Sequence, residues 1–211
     1  MSLHICTNIV NDSINNLFKS FLSQFFNEID FHLNNTNRND KYHLTEYGEL
    51  GLVNYFINGI VRADDNHRFL IINEFELVDK NDEYSGRVDI ILEDTHQNDI
   101  YFIEVKKEFS LETVPSTDKW SKEKSLNDYE EICNQAKSYI NADWHNLTSV
   151  NNKYIVALVF DSVKFLNKKN IKLWYYENLI DNEFYSFKTY KAEEGELGLA
   201  CYGLIKKIEI I

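Results

Sequence analysis

Residues 86–108, GRVDIILEDTHQNDIYFIEVKKE, contain two apolar runs on either side of a polar segment, and this pattern predicts a β-hairpin. Three charged residues, Asp89, Glu104 and Lys106, interrupt the apolar runs. Charged groups are costly to place inside strands unless they pair or bind an ion. A fold that contains this hairpin must therefore bring the three charges to a place where they are compensated.

The register of the hairpin decides whether these charges meet. If the turn is symmetric between His96 and Gln97, the numbers of facing residues add to 193, and Asp89 lies opposite Glu104. Facing residues have Cβ atoms ~4.5–5.5 Å apart. Glu104 and Lys106 are two positions apart in one strand, so they share a face. We therefore expect the three charges to converge, whereas a slip of one residue would break the alignment.

Two facing carboxylates repel each other, so a positive charge is expected between them. Lys106 can neutralise one of them. A hard divalent cation does more, because Mg²⁺ takes oxygen ligands and is often held by carboxylates together with phosphate oxygens. Such an ion can activate water and stabilise charge on a phosphodiester. A salt bridge on a solvated strand face is the alternative explanation.

Hydrophobic periodicity predicts the secondary structure of the rest of the chain. The first helix, 12–33, is strongly amphipathic, and a second spans about 45–61. The remaining predicted elements are strands at 68–78, 86–93 and 100–107, a helix at 126–140 and a buried strand at 153–161. In the C-terminal third, alternation favours strands at 171–180 and 183–191, although a helix competes there. The order predicts a mixed α/β arrangement, with a sheet covered by helices.

Composition limits the function classes. The 211 residues suit a single domain, 1–211, and the longest apolar runs are too short to span a bilayer, so we expect a cytoplasmic protein with no membrane partner. Three scattered cysteines and six histidines show no zinc-site spacing, and no glycine-rich nucleotide loop is present. The net charge of −12 opposes nonspecific binding of nucleic acid but does not exclude a local basic groove.

The element order, with Asp89 and the triplet Glu104-Val105-Lys106 on adjacent strands, resembles the PD-(D/E)xK nuclease superfamily. The resemblance covers about 45–161 and implies a restriction-endonuclease-like α-β-β-β-α-β core, a mixed central sheet flanked by helices. The helix at 12–33 and a C-terminal extension at 162–211 would be additions to that core. Members often carry proline before the motif aspartate, where this chain has Val88.

The resemblance implies a role for each motif residue. Asp89, Glu104 and Lys106 would be catalytic. Asp89 and Glu104 would bind Mg²⁺ or Mn²⁺, assisted by the Val105 carbonyl and by a glutamate of the first core helix. Glu49 is the preferred glutamate because it shares a stripe with the apolar residues of its helix, and Glu46 is the alternative. Either glutamate could instead be solvated at the helix N-terminus.

A second motif lies in the helix at 126–140. Gln135 and Tyr139, in QAKSY, resemble the QxxxY motif of RecB-like members, which implies that they orient the site and contact the nucleic-acid backbone. A spacing of four places both on one helix face. Core packing of Tyr139 is the alternative. Lys107 would be solvated or would touch the backbone of the substrate.

The implied function is metal-dependent hydrolysis of phosphodiester bonds in DNA. A nuclease-fold module that no longer cleaves and instead binds nucleic acid or protein is an open alternative, as is an RNA substrate. The first helix and the C-terminal third lie outside the resemblance, and they could serve target recognition or form a homodimer.

Overall fold

The described part of the chain is a mixed α/β structure in which two helices lie against one β-sheet. The computed structural model describes residues 3–5, 12–35, 49–78, 84–110, 150–164, 184–192 and 195–210. In chain order the elements are β1 (Leu3–Ile5), α1 (Asp12–Asn35), α2 (Glu49–Ala63), β2 (Phe69–Val78), β3 (Tyr84–Asp94), β4 (Asp99–Ser110), β5 (Asn152–Lys164), β6 (Phe184–Ala192) and β7 (Gly195–Ile210).

Helices α1 and α2 bury the apolar stripes that the sequence predicts. In α1 the spacing of three and four brings its aromatic and aliphatic residues to one side, and α2 does the same over a shorter length. The fully buried members are Phe18, Phe21, Leu22, Phe25, Ile29, Leu52, Val53, Phe56 and Ile60. Burial of each such side chain contributes about 1.5–3 kcal/mol, so packing on the sheet outweighs the modest helix propensity of phenylalanine and valine.

The sheet has mixed strand directions. Strands β2, β3 and β4 form an antiparallel meander, β4 and β5 are parallel, and β5 and β7 are antiparallel. On its other side β7 pairs with β6 and with the short strand β1. Parallel neighbours need a crossover connection. The helix predicted at 126–140 belongs to the connection between β4 and β5 and lies outside the described residues.

The predicted strands of the meander, the strand at 153–161 and the strand at 183–191 are confirmed within a few residues. Strands β1 and β7 were not predicted. Through β6 and β7, the region after 162 adds strands to the same sheet that contains the hairpin. The strand expected at 171–180 lies outside the described residues.

A polar network fixes the turn end of the β3–β4 hairpin. Asp94 is fully buried, and the guanidinium of Arg68 donates to both of its carboxylate oxygens, with Nε at 2.8 Å from Oδ1. The N–H groups of His96 and Gln97 donate to the same Oδ1 at 3.1 Å. Burial alone would raise the pKa of the Asp94 carboxyl, but the hydrogen bonds from Arg68 and the turn outweigh burial and hold the pKa below its usual value. The turn position, and with it the register, is thereby set.

Neither described helix combines the length and the apolar character that a membrane crossing would need. Cys201 is a buried free thiol, as expected for an isolated cysteine, and burial raises its pKa well above the usual value. Cys6 and Cys133 lie outside the described residues.

Candidate active site

The β3–β4 hairpin has the register that the sequence predicts. Its ladder ends at Ile90 opposite Ile103, and the numbers of this pair, like those of every pair in the ladder, add to 193. The next pair in the same register is Asp89 with Glu104, and the backbone pairing stops just before it. The two carboxylates therefore lie on neighbouring strands where these strands cease to pair.

The Asp89 carboxylate joins the two strands at this point. The Val105 N–H donates to Asp89 Oδ2 at 2.8 Å. In a continued ladder Val105 would lie opposite Val88, so the side chain of Asp89 replaces a backbone acceptor of β3. The hydrogen bond is charge-assisted, which makes it stronger than a neutral one. It holds the Asp89 carboxylate next to the peptide that joins Glu104 to Val105.

Alternation along the strands places the three predicted residues on one face of the sheet. Val105, between Glu104 and Lys106, belongs to the core that packs against the helices, as does Ile90, which follows Asp89. Successive side chains of a strand point to opposite faces. Asp89, Glu104 and Lys106 consequently share the sheet face that is turned away from α1 and α2.

The three charged side chains differ in exposure. Glu104 is buried, with 3% of its surface exposed, whereas Asp89 and Lys106 are half-buried. Apolar residues on the same face are also buried, among them Ile91, Phe102, Ile155 and Ala157. An ionised group in such surroundings interacts more strongly with nearby charges than it would in water. Asp89 and Lys106 form the accessible part of the site.

The donor groups at this position fit a hard divalent cation. Mg²⁺ is often held by one or two carboxylates, with the remaining positions taken by water or phosphate oxygens. Asp89 and Glu104 supply two carboxylates. Val105 adds a carbonyl oxygen, because the N–H and C=O of one strand residue point toward the same neighbouring strand, here β3. In the described ranges no three His, Cys, Asp or Glu side chains form a group that could hold a metal ion, so the fit rests on this pair.

The other predicted residues contribute less to the described geometry. Glu46, Gln135 and Tyr139 lie outside the described residues. Glu49 is the first residue of α2, and Lys107 is part of β4, but only their backbone positions are described. The metal-binding and substrate-contacting roles expected for these five residues stay predictions.

Strand β2 is irregular where it passes the site. Its ladder with β3 keeps one register from Phe69 opposite Asp94 to Leu77 opposite Gly86 but omits the pair of Glu74 with Asp89. Glu74 has a φ of 52°, a left-handed conformation that is rare for a residue with a side chain. Such residues cost about 1–3 kcal/mol and cluster at functional sites. Both ladders that flank β3 are thus interrupted at Asp89.

Arg87 is a cation of this face that the sequence analysis missed. It lies two residues before Asp89 and therefore on the same face of β3. Its Nη1 is 3.9 Å from the Glu74 carboxylate, and its side chain is 52% exposed. In the sequence, the position of Arg87 two residues before the motif aspartate, Asp89, could have identified it.

Comparison with known proteins adds no support to the resemblance to the PD-(D/E)xK nucleases, which therefore depends on the motif residues alone. A scan against protein-family models gives no match to this chain, and a search of curated proteins gives no significant match.

Proposed function

We propose that the chain is a metal-dependent nuclease of the PD-(D/E)xK type, a hydrolase that cleaves phosphodiester bonds in DNA in the cytoplasm. The observation that carries the proposal is the hydrogen bond from Val105 to Asp89, which joins the two motif strands in the predicted register. The order α2, β2, β3, β4 and β5, with β4 parallel to β5, supports a restriction-endonuclease-like core.

In this proposal Asp89, Glu104 and the Val105 carbonyl hold Mg²⁺ or Mn²⁺. Glu49, or alternatively Glu46, would complete the ligands from the start of α2. When bound, the ion acts as a Lewis acid on the phosphodiester and neutralises developing negative charge. The buried carboxylate of Glu104 and the bonded carboxylate of Asp89 are held in place before substrate arrives, which reduces the reorganisation needed during the reaction.

Lys106 supplies a positive charge on the same face as the two carboxylates. Its ammonium group would contact the scissile phosphate or orient the attacking water, and its half-buried position leaves it accessible to a ligand. Gln135, Tyr139 and Lys107 remain the proposed contacts to the nucleic-acid backbone.

A catalytically inactive module on the same fold is the second candidate. The net charge of −12 favours it, because an acidic protein repels a polyanion unless local cations compensate. One oxygen of Asp89 is also already engaged by Val105, which reduces its capacity for a metal ion.

The first prediction tests the site by neutralising its charges. We expect Asp89→Asn and Lys106→Gln each to lower Mg²⁺-dependent DNA cleavage by at least about 100-fold. Asparagine keeps an oxygen that can accept from the Val105 N–H, so the Asp89 variant should stay folded. Cleavage of linear, circular and single-stranded DNA and of single-stranded RNA, with Mg²⁺ and with Mn²⁺, is the measurement.

Glu93→Gln is the matched control, because Glu93 lies on the same strand and face as Asp89 and its loss of charge should leave cleavage unchanged. Cleavage that survives in both site variants would reject the assignment.

Calorimetric titration with Mn²⁺ separates the candidates: the nuclease binds the ion and loses this binding in Asp89→Asn. DNA binding with neither ion binding nor cleavage would identify the inactive module, and cleavage of RNA alone would correct the substrate.

A further inference from the structure

Strand β3 directs the backbone groups of Asp89 toward β2. The Thr95 N–H donates to the Arg68 carbonyl of β2 at 2.9 Å, and alternate residues of an antiparallel strand direct both backbone groups to the same neighbour. Asp89 is six residues before Thr95, so its N–H and C=O also point to β2. In the register of this ladder its partner is Glu74, and a regular pair would exchange two hydrogen bonds.

The backbone conformation of Glu74 interrupts this pairing. Its φ of 52° is left-handed, so its N–H and C=O do not take the directions that they have in an extended strand. The pairs on either side of Glu74 are present in one register, so the two strands stay in step across the interruption. The loss is therefore confined to the pair that contains Asp89.

The interruption coincides with an unusual direction of the Asp89 side chain. Side chains of a regular strand stand roughly perpendicular to the sheet, whereas backbone N–H groups lie within the sheet. The Asp89 carboxylate nevertheless accepts from the Val105 N–H of β4, with 2.8 Å between Oδ2 and N. For a side chain to reach an N–H of the neighbouring strand, β3 must depart from regular geometry at Asp89, and a complete ladder with β2 would oppose that departure.

We propose that Glu74 is a positioning residue, whose left-handed backbone keeps the β2–β3 ladder open at Asp89 and so lets the Asp89 carboxylate turn toward β4 and the metal site. The role belongs to the backbone of Glu74 and not to its carboxylate, which forms a long ion pair with Arg87, 3.9 Å from oxygen to nitrogen. A residue that prefers the extended conformation should close the ladder and displace the Asp89 carboxylate. The inference rests on the proposed nuclease function.

The second prediction compares Glu74→Asn with Glu74→Thr. Both substitutions remove the same charge and introduce a small polar side chain, but asparagine tolerates the left-handed conformation, whereas the β-branched threonine favours an extended strand. In calorimetric titrations we expect Glu74→Thr to bind Mn²⁺ at least about tenfold more weakly than Glu74→Asn, as is typical when a metal ligand loses its support. In cleavage assays at one Mg²⁺ concentration, kcat should fall in Glu74→Thr while KM for DNA stays within about threefold.

Hydrogen exchange of the Asp89 N–H, measured by NMR, reports on the ladder directly. We expect this exchange to be at least about tenfold slower in Glu74→Thr than in Glu74→Asn, because the closed ladder protects the N–H. Slower exchange without weaker Mn²⁺ binding would show that the interruption does not position the carboxylate. Equal exchange in the two variants would show that the interruption does not depend on residue 74. Either result would overturn the inference.

Two controls separate the backbone of Glu74 from its charge and from its place on an exposed strand. Glu74→Gln removes the charge and the ion pair but keeps the length of the side chain. Equal weakening of Mn²⁺ binding in the Gln, Asn and Thr variants would assign the effect to the carboxylate and would overturn the inference. Glu76 is also exposed on β2, so Glu76→Asn and Glu76→Thr form a matched pair that should bind Mn²⁺ equally.

The outcomes also separate this inference from the proposed function. If the unsubstituted protein binds Mn²⁺ and cleaves DNA, and Glu74→Asn and Glu74→Thr behave alike, only the role of Glu74 fails. If the unsubstituted protein neither binds Mn²⁺ nor cleaves DNA, the nuclease proposal and the inference fail together.

Discussion

At the scale of single residues, Asp89 and Asp94 show how position decides the use of one side-chain type. Both belong to β3, but their spacing of five places them on opposite faces of the sheet. Asp94 is fully buried and bound by Arg68 and two turn N–H groups. Asp89 is half-buried and accepts a hydrogen bond from the Val105 N–H. Asp94 therefore stabilises the hairpin, whereas Asp89 remains accessible to a ligand.

The third prediction concerns Asp94→Asn, which removes the charge that compensates Arg68. We expect the free energy of unfolding at pH 7 to fall by about 2 kcal/mol, since the substitution removes the charge-assisted hydrogen bonds between Asp94 and the partly buried Arg68. Denaturant unfolding measures the change. Asp65→Asn, on the exposed loop after α2, is the control and should change stability by less than about 0.5 kcal/mol.

The stability difference between the unsubstituted protein and Asp94→Asn should depend on pH. Because the folded-state pKa of Asp94 is lowered, its stabilising effect is complete above about pH 4, the usual pKa of an unfolded aspartate. The effect is lost as the pH falls through the folded-state pKa. The stability difference between the unsubstituted protein and Asp94→Asn should therefore shrink below pH 4, and a difference that stays constant to pH 2 would contradict the role assigned to the carboxylate.

At the scale of elements, α1 and α2 approach each other closely at Gly59 of α2. A Cβ at this position would lie 2.7 Å from the carbonyl oxygen of Phe21 and 2.9 Å from the backbone nitrogen of Phe25. Both are backbone atoms of α1, which cannot move aside as a flexible side chain can. The absence of a side chain at Gly59 thus sets the distance between the helices that cover the sheet.

The fourth prediction is that Gly59→Ala destabilises the protein by about 1–3 kcal/mol, despite the better helix propensity of alanine. The clash should push α1 and α2 apart and lower the midpoint of thermal unfolding. Asn58→Ala, at the exposed neighbouring position, makes a comparable gain in propensity without a contact and should be neutral or stabilising. Equal effects of the two substitutions would show that the helices can separate freely.

The elements also show what the sequence could and could not predict. The helices and the hairpin register were predictable because long amphipathic stripes and a symmetric polar turn leave few alternatives. Strand β1 has three residues, too few for a period, and in β7 glycines and lysines obscure the alternation. The left-handed Glu74 and its contact with Arg87 depend on how β2 pairs with β3, which no local pattern encodes.

At the scale of the whole molecule, β2 forms one edge of the described sheet. Leu70, Ile72 and Phe75 on this strand are 51%, 36% and 40% exposed. An apolar edge strand presents unpaired backbone groups beside exposed apolar side chains, and folded molecules commonly associate through such strands. The exposed Glu74 and Glu76 on the same strand oppose this association by adding negative charge.

The fifth prediction is that Ile72→Lys raises the onset temperature of aggregation, measured by light scattering during heating, because it places a charge on the apolar edge. The substitution also lowers the magnitude of the net charge by one. Asn73→Lys makes the same change in charge without removing an apolar group, so it should not raise the onset. An equal rise in both variants would assign the effect to charge alone.

The position of β7 affects when the sheet can be completed during translation. The strand lies between β5 on one side and β6 with β1 on the other, and it is the last described strand to leave the ribosome. Until residues 195–210 emerge, the nascent chain exposes the open side of β5, where chaperones or a second nascent chain can attach. Completion of the sheet must therefore follow translation of nearly every residue that the structure describes.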